Sequence, residues 1–256
     1  MGAFRRLAVG TGAILAVSAA LVVPVAPAGA SQSAATHRPF IGRSVGPAVA
    51  RGLGLTHSTS SNWAGYAAYN STFTSVSASW VQRAVTCTSQ TTYSSFWVGL
   101  DGYNSNSVEQ TGTEADCYRG VAYYSSWYEM YPAYPVNYSN TVAPGDSFTA
   151  SVTYTSGHFV LVLTNNTRGW SHTTTASYSA AARSSAEVIA EAPSSGTGVL
   201  PLSNFGTAGF TSARANGSAI GSFTTDAITM ASGSTTKATT SALSASTNFS
   251  VTWHHV

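Results

Sequence analysis

The chain has 256 residues, and 8% of them are charged: 11 Lys+Arg against 9 Asp+Glu, a formal net charge of +2. Ordinary globular domains carry about 25% charged residues, and a disordered polyelectrolyte carries far more charge with less apolar content than the 43% found here. A single lysine and the lack of any basic run exclude nucleic acid as a partner. Nine acids, Asp101, Glu109, Glu114, Asp116, Glu129, Asp146, Glu187, Glu191 and Asp226, are the whole supply for carboxylate chemistry.

In chain order, residues 1–30 read as a secretory signal peptide. Arg5 and Arg6 precede an Ala/Val/Leu-rich stretch over 8–27, and Ala28-Gly29-Ala30 forms a small-x-small cleavage site. A membrane anchor is the competing reading, since the apolar stretch is nearly long enough; Pro24 and Pro27 before the cleavage site favour removal. Residues 31–58 hold His37, Arg38, Arg43, Arg51 and His57 with no acid. They form either a disordered linker or a short basic pro-segment able to cover an acidic cleft by charge complementarity. Residues 59–256 suffice for one domain with a substantial core. The expected product is a secreted, extracellular monomer with no membrane attachment after signal removal. Maturation leaves 6 basic residues against 9 acidic, so the net charge turns to −3.

From Ser60 onward the pattern has period two. Val76, Ala78 and Trp80 alternate with serines, and Phe148, Ala150, Val152 and Tyr154 alternate with Ser and Thr. Phe159, Leu161 and Leu163 oppose Val160 and Val162, which predicts burial on both faces, and Phe249, Val251 and Trp253 repeat the alternation near the end. Turn signals such as Pro144-Gly145-Asp146 and Ser156-Gly157 separate the runs. Residues 231–247 are low in complexity and read as a long turn region. Many short strands predict an all-β fold: an antiparallel two-sheet sandwich of jelly-roll type with a concave cleft. Cys87 and Cys117 are the two cysteines; in an oxidising compartment they pair as one disulfide, the alternative being a free buried pair.

Alternation also sorts side chains by face. Trp97 and Asp101 share one face of FWVGLDG, and Trp127, Glu129 and Tyr131 share one face of SSWYEMYP. Gln110 points away from Glu109 and lies with Val108, while Glu187, Ile189 and Glu191 share one face of AEVIAEAP. Carboxylates interleaved with Trp and Tyr on several strands describe a sheet face that grips a polymer. Taken singly, each would be a core aromatic or an edge gatekeeper.

These segments resemble the glutamic peptidases of the eqolisin type (peptidase family G1), in particular their bacterial-type members. SNWAGY at 61–66, WVGLDG at 97–102, EQTGT at 109–113, WYEMYP at 127–132 and AEVIAE at 186–191 occur in the family's order. The resemblance implies a sandwich of two curved antiparallel sheets similar to the concanavalin-like lectins. It also implies a catalytic dyad of Gln110 and Glu191, with Glu191 rather than Glu187 as the glutamate. Trp63, Trp97, Asp101, Trp127, Glu129 and Tyr131 fall on cleft-lining, substrate-binding positions. Two departures stand out: Ser125 replaces an Asp common in fungal members, which alters cleft charge, and Glu109 replaces an apolar residue.

The implied chemistry is hydrolysis of polypeptide substrates in acid. A carboxylate can act first as base on water and then as acid toward the leaving amine. A glutamine amide never titrates, so it can stabilise an oxyanion at any pH. No cofactor and no metal are expected, since neither HExxH nor another metal spacing occurs. No GxSxG motif accompanies His158 or His172, which argues against a serine triad. A glycoside hydrolase using Glu129 with Glu191, or a lectin-like binding module, are the alternatives on the same sandwich.

Overall fold

The computed structural model describes residues 57–256 and the backbone of the two-residue strand Val49–Ala50; all of these lie within one compact unit, Arg38–Val256. The expected signal peptide, and the 31–58 segment apart from Val49–Ala50, His57 and Ser58, lie outside the described residues. Among the described residues no helix is long and apolar enough to cross a membrane.

Among the described residues, fourteen strands of three or more residues carry the fold. They are β1 (Trp63–Tyr69), β2 (Ser75–Val81), β3 (Ser95–Leu100), β4 (Val108–Tyr118), β5 (Val121–Tyr131), β6 (Val136–Tyr138) and β7 (Ser147–Thr155). The series continues with β8 (His158–Asn165), β9 (Trp170–Ala176), β10 (Ser185–Glu191), β11 (Thr207–Ala215), β12 (Thr224–Ser232), β13 (Thr235–Thr240) and β14 (Phe249–Trp253). One antiparallel sheet has the order β6-β5-β4-β3-β10-β1-β12. The other runs β9-β8-β7-β2-β11-β14-β13-β12, also antiparallel. β12 belongs to both: Thr224–Ile228 pairs with β1, and Met230–Ser232 pairs with β13. The expected all-β, antiparallel sandwich is what the chain adopts.

Between the sheets lies the main core. Phe96, Val98, Leu100, Val188 and Ala190 from the first sheet meet Val76, Trp80, Phe148, Val152, Leu161 and Phe210 from the second. Each large apolar side chain so buried contributes about 1.5–3 kcal/mol. The alternation in β2 and β7 therefore records one core face and one solvent face, with serines and threonines outward. β8 corrects one expectation: Phe159, Leu161 and Leu163 are buried, but Val160 and Val162 are only half-buried, so the strand has one core face. The 231–247 region is corrected as well. Thr235–Thr240 is a strand, paired with β12 and β14. Its Thr/Lys/Ala composition carries no apolar alternation because backbone pairing with its neighbours, not its own apolar side chains, holds it.

Cys87 and Cys117 form a disulfide, tying the segment after β2 to the far end of β4. Eight of the nine acids are buried and the ninth, Asp116, is half-buried, so no Asp or Glu side chain stands exposed among the described residues. Four arginines among the described residues, Arg83, Arg119, Arg168 and Arg214, are exposed.

Candidate active site

The face of the first sheet turned away from the main core carries the chemistry. Antiparallel register aligns its side chains in rows across the strands. One row reads Glu129 (β5), Gln110 (β4), Gly99 (β3), Glu187 (β10), Ala67 (β1) and Asp226 (β12). The next reads Trp127, Gly112, Trp97, Ile189, Gly65 and Ile228. A third reads Ser125, Glu114, Ser95, Glu191 and Trp63. Strand parity thus puts Gln110 and Glu191 on one face of one sheet, two rows and two strands apart.

Large rings fit this face because small residues separate them. A Cβ on Gly112 would lie 2.2 Å from the Phe96 carbonyl oxygen and 2.6 Å from Trp97 Cβ. Trp63, Trp97 and Trp127 form a second apolar cluster with Ala67, Val108, Ile189 and Ile228, and Tyr103 and Tyr131 pack against it. Trp63 and Trp97 meet edge to face with ring centroids 4.9 Å apart, the arrangement the ring quadrupoles favour.

The Trp97 indole links the two expected catalytic residues. Its Nε1–H donates to Oε2 of Glu191 at 2.8 Å. Its Cζ3 lies 2.9 Å from where a Gly99 Cβ would stand, a point also 3.1 Å from Gln110 Cβ. Asn62 Nδ2 donates to the other oxygen of Glu191 at 3.3 Å. Two neutral donors thus orient this carboxylate. Gln110 Nε2 donates to Oε2 of Glu129 at 2.8 Å, which fixes the amide orientation, since a carboxylate accepts only from the nitrogen side. Gln110 Oε1 accepts no hydrogen bond from the described residues.

Glu187 shares a row with Gln110. Burial pushes its carboxyl well above the ordinary carboxylate range, and the nearby Asp101 adds repulsion. A carboxyl kept protonated is unsuited to begin as a base. Glu109, on the opposite parity from Gln110, is pushed by burial and then by Asp101 to about 8. Glu114 and its neighbour Asp116 are both raised, chiefly by burial.

Asp101 sits in a turn rather than on a strand face. It adopts a left-handed backbone (φ 69°) just past the end of β3, so the strand's alternation no longer applies to it. Its carboxylate accepts from the backbone N–H of Arg183 at 2.6 Å and of Ser184 at 2.9 Å. It therefore holds the loop that enters β10. Ser125 donates to Oε2 of Glu114 at 3.0 Å. Sequence reasoning passed over Glu114, Asn62, Tyr103 and Asp226 as parts of this face. Glu114 has the same parity as Gln110 and Asn62 lies inside SNWAGY, so both carried a readable signal.

Comparison with known protein families matches residues 61–253 to the peptidase A4 family. The chain belongs to that family. Aspergillopepsin-2 of Aspergillus niger is 36% identical over 136 residues, covering 50% of this chain and 48% of that protein. The chain thus spans about half the length of this curated relative. Scytalido-glutamic peptidase, solved with a transition state analog inhibitor, superposes with a TM-score of 0.66 at 26% identity, over 76% of this chain and 98% of that one. SCP-B, a member of the eqolisin family solved with the tripeptide Ala-Ile-His, gives 0.62 at 25% identity, over 76% and 98%. The resemblance read from the motifs is therefore to the family that the whole domain matches, the glutamic peptidases.

Proposed function

We propose that the protein is a secreted endopeptidase that hydrolyses polypeptides in acid with Gln110 and Glu191 as its catalytic pair. The observation that carries this reading is the treatment of the two side chains on one sheet face. Glu191 is held by Trp97 and Asn62 as an acceptor, and the amide nitrogen of Gln110 is held by Glu129. Glu191 takes a proton from water as that water attacks the scissile carbonyl, then returns the proton to the leaving amine. Gln110 has a second amide proton beyond the one given to Glu129, and this donor faces the developing oxyanion. No covalent intermediate is needed.

Trp63, Trp97, Trp127 and Tyr131 supply apolar walls for the polypeptide, and Glu129 positions Gln110. Asp101 serves by fixing the 183–184 backbone beside the cleft. Residues 1–30 act as the export signal, residues 31–58 precede the working domain at 59–256, and the mature chain works as a monomer. The family match favours this reading over a glycoside hydrolase or a lectin-like module.

The test is proteolysis of denatured casein in acid by the wild type, Glu191→Gln and Gln110→Ala, with folding checked by circular dichroism. Both variants lose activity while staying folded. Full activity in either one, or turnover of a β-glucan in place of casein, overturns the assignment.

A further inference from the structure

Three strands meet at Asp101. It follows the end of β3, the strand of Trp97, and its own N–H donates at 3.0 Å to the carbonyl of Ser185, where β10, the strand of Glu191, begins. Its carboxyl oxygens accept from four groups: the backbone N–H of Arg183 and of Ser184, the Ser184 hydroxyl at 3.3 Å and the Ser105 hydroxyl at 3.1 Å. No cation pairs with it: among the described residues the ion pair is Arg168–Asp146, and the Arg183 guanidinium lies over the Tyr154 ring, 4.2 Å from its centre.

Glu109 comes to this junction from β4, one residue before Gln110. Register sets it directly across from Leu100, the chain neighbour of Asp101, and from Met130 of β5, both apolar. It is fully buried, and neither of its carboxyl oxygens accepts a hydrogen bond from the described residues. A buried carboxyl without donors keeps its proton, and a protonated carboxyl is itself a donor. The carboxyl within its reach is that of Asp101. Burial first, then repulsion from Asp101, raise Glu109 to about 8, with the Ser107 hydroxyl working against them. The other carboxyl that feels Glu109 is Glu187 of β10, itself held well above the ordinary range, chiefly by burial.

We propose that Glu109 is a positioning residue whose proton bridges to Asp101 and so locks together the ends of β3, β4 and β10, the strands that carry Trp97, Gln110 and Glu191. Losing that proton leaves two buried carboxylates facing each other where one hydrogen bond had been. Like charges so placed repel, and their separation draws Asp101 away from the Arg183 and Ser184 amides. The folded-state value lies above the unfolded one near 4.5, so the lock is complete in acid and is lost as pH rises through about 8. The loss is local, at the entry to β10. Its bearing on activity rests on the reading of Gln110 and Glu191 as the catalytic pair; the lock itself does not.

Hydrogen exchange at the Arg183 and Ser184 amides tests the lock without any substrate. Wild type, Glu109→Gln and Glu109→Leu are compared in acid and at about pH 9. The control is the Ser212 amide of the other sheet, which donates to Asn248 Oδ1 at 3.0 Å. A glutamine amide donates at every pH. Glu109→Gln therefore keeps both amides protected at about pH 9, where the wild type exchanges roughly tenfold faster or more. Glu109→Leu removes the donor and exchanges faster than the wild type in acid, where Glu109→Gln matches it. The comparison of wild type with Glu109→Gln stands by itself where Glu109→Leu does not fold. Wild-type protection that persists at about pH 9, equal exchange in wild type and Glu109→Gln at that pH, a Glu109→Leu as protected in acid as the wild type, or a loss shared by Ser212 overturns the proposal. A catalytic pair elsewhere leaves these exchange rates as they are, so the two proposals fail separately.

Discussion

The amide nitrogen of Gln110 lies 2.8 Å from Oε2 of Glu129, its direct partner across the β4–β5 ladder. This bond decides which way the Gln110 amide points, and so where its second N–H and its oxygen face. Glu129→Ala frees the amide to rotate. The expected outcome is a fall in kcat with KM little changed, smaller than the roughly 10²–10³-fold loss for removing an oxyanion donor with Gln110→Ala. The double variant is no worse than Gln110→Ala alone, because Glu129 acts through the amide; steady-state kinetics of the four proteins forms the cycle.

Stability should rise toward acid. Glu109 is raised from 4.5 to about 8, and Glu187, Glu114 and Asp116 are raised as well, each chiefly by burial. A carboxyl with a folded-state value above its unfolded one holds its proton longer in the folded protein. Its contribution is complete below the unfolded value near 4.5 and is lost as pH rises toward about 8. Asp146, lowered by its hydrogen bonds and charge pairing with Arg168 against its own burial, works the other way and loses its contribution in strong acid. Four groups outweigh one, so the thermal midpoint measured by calorimetry falls from mild acid to neutral pH. Glu187→Gln flattens that slope and raises the midpoint at neutral pH.

Gly112→Ala tests the packing that admits the rings. Its Cβ would meet the Phe96 backbone oxygen at 2.2 Å, so β3 and β4 must separate. Overpacking of this kind costs about 1–3 kcal/mol, read as a lower denaturant midpoint. Activity falls further than stability explains, since Trp97 and Gln110 flank the displaced strands.

Replacing Cys87 and Cys117 together by Ser opens a bridge across a separation of 30 residues. The expected loss is about 3–4 kcal/mol in urea unfolding. Specific activity at low temperature persists, because Cys117 sits at the opposite end of β4 from Gln110.

Much of this was legible in the sequence because period-two alternation is a direct image of a sheet with one buried face. β2 and β7 showed it plainly, and the interleaving of Trp127 and Glu129 marked the second face. Where the reading failed, backbone geometry had overridden side-chain pattern. Asp101 breaks the alternation because it opens the Asp101-Gly102 turn in a left-handed conformation, and there the turn overrides strand parity. β13 has no apolar stripe and exists through its ladders with β12 and β14. Asp226 was visible as one of nine acids, but its meeting with Ser58 joins positions 168 residues apart. Only the sheet corner at β12 brings them together.

The burial of the Asp and Glu side chains has a chemical consequence. The fixed side-chain charges on the described surface are arginines, while the carboxyls lie buried or half-buried. A carbodiimide that couples amines to carboxyls therefore finds little to label on the folded domain, and labelling rises only when unfolding brings the interior acids into contact with solvent. Uptake of such a reagent separates folded from unfolded molecules.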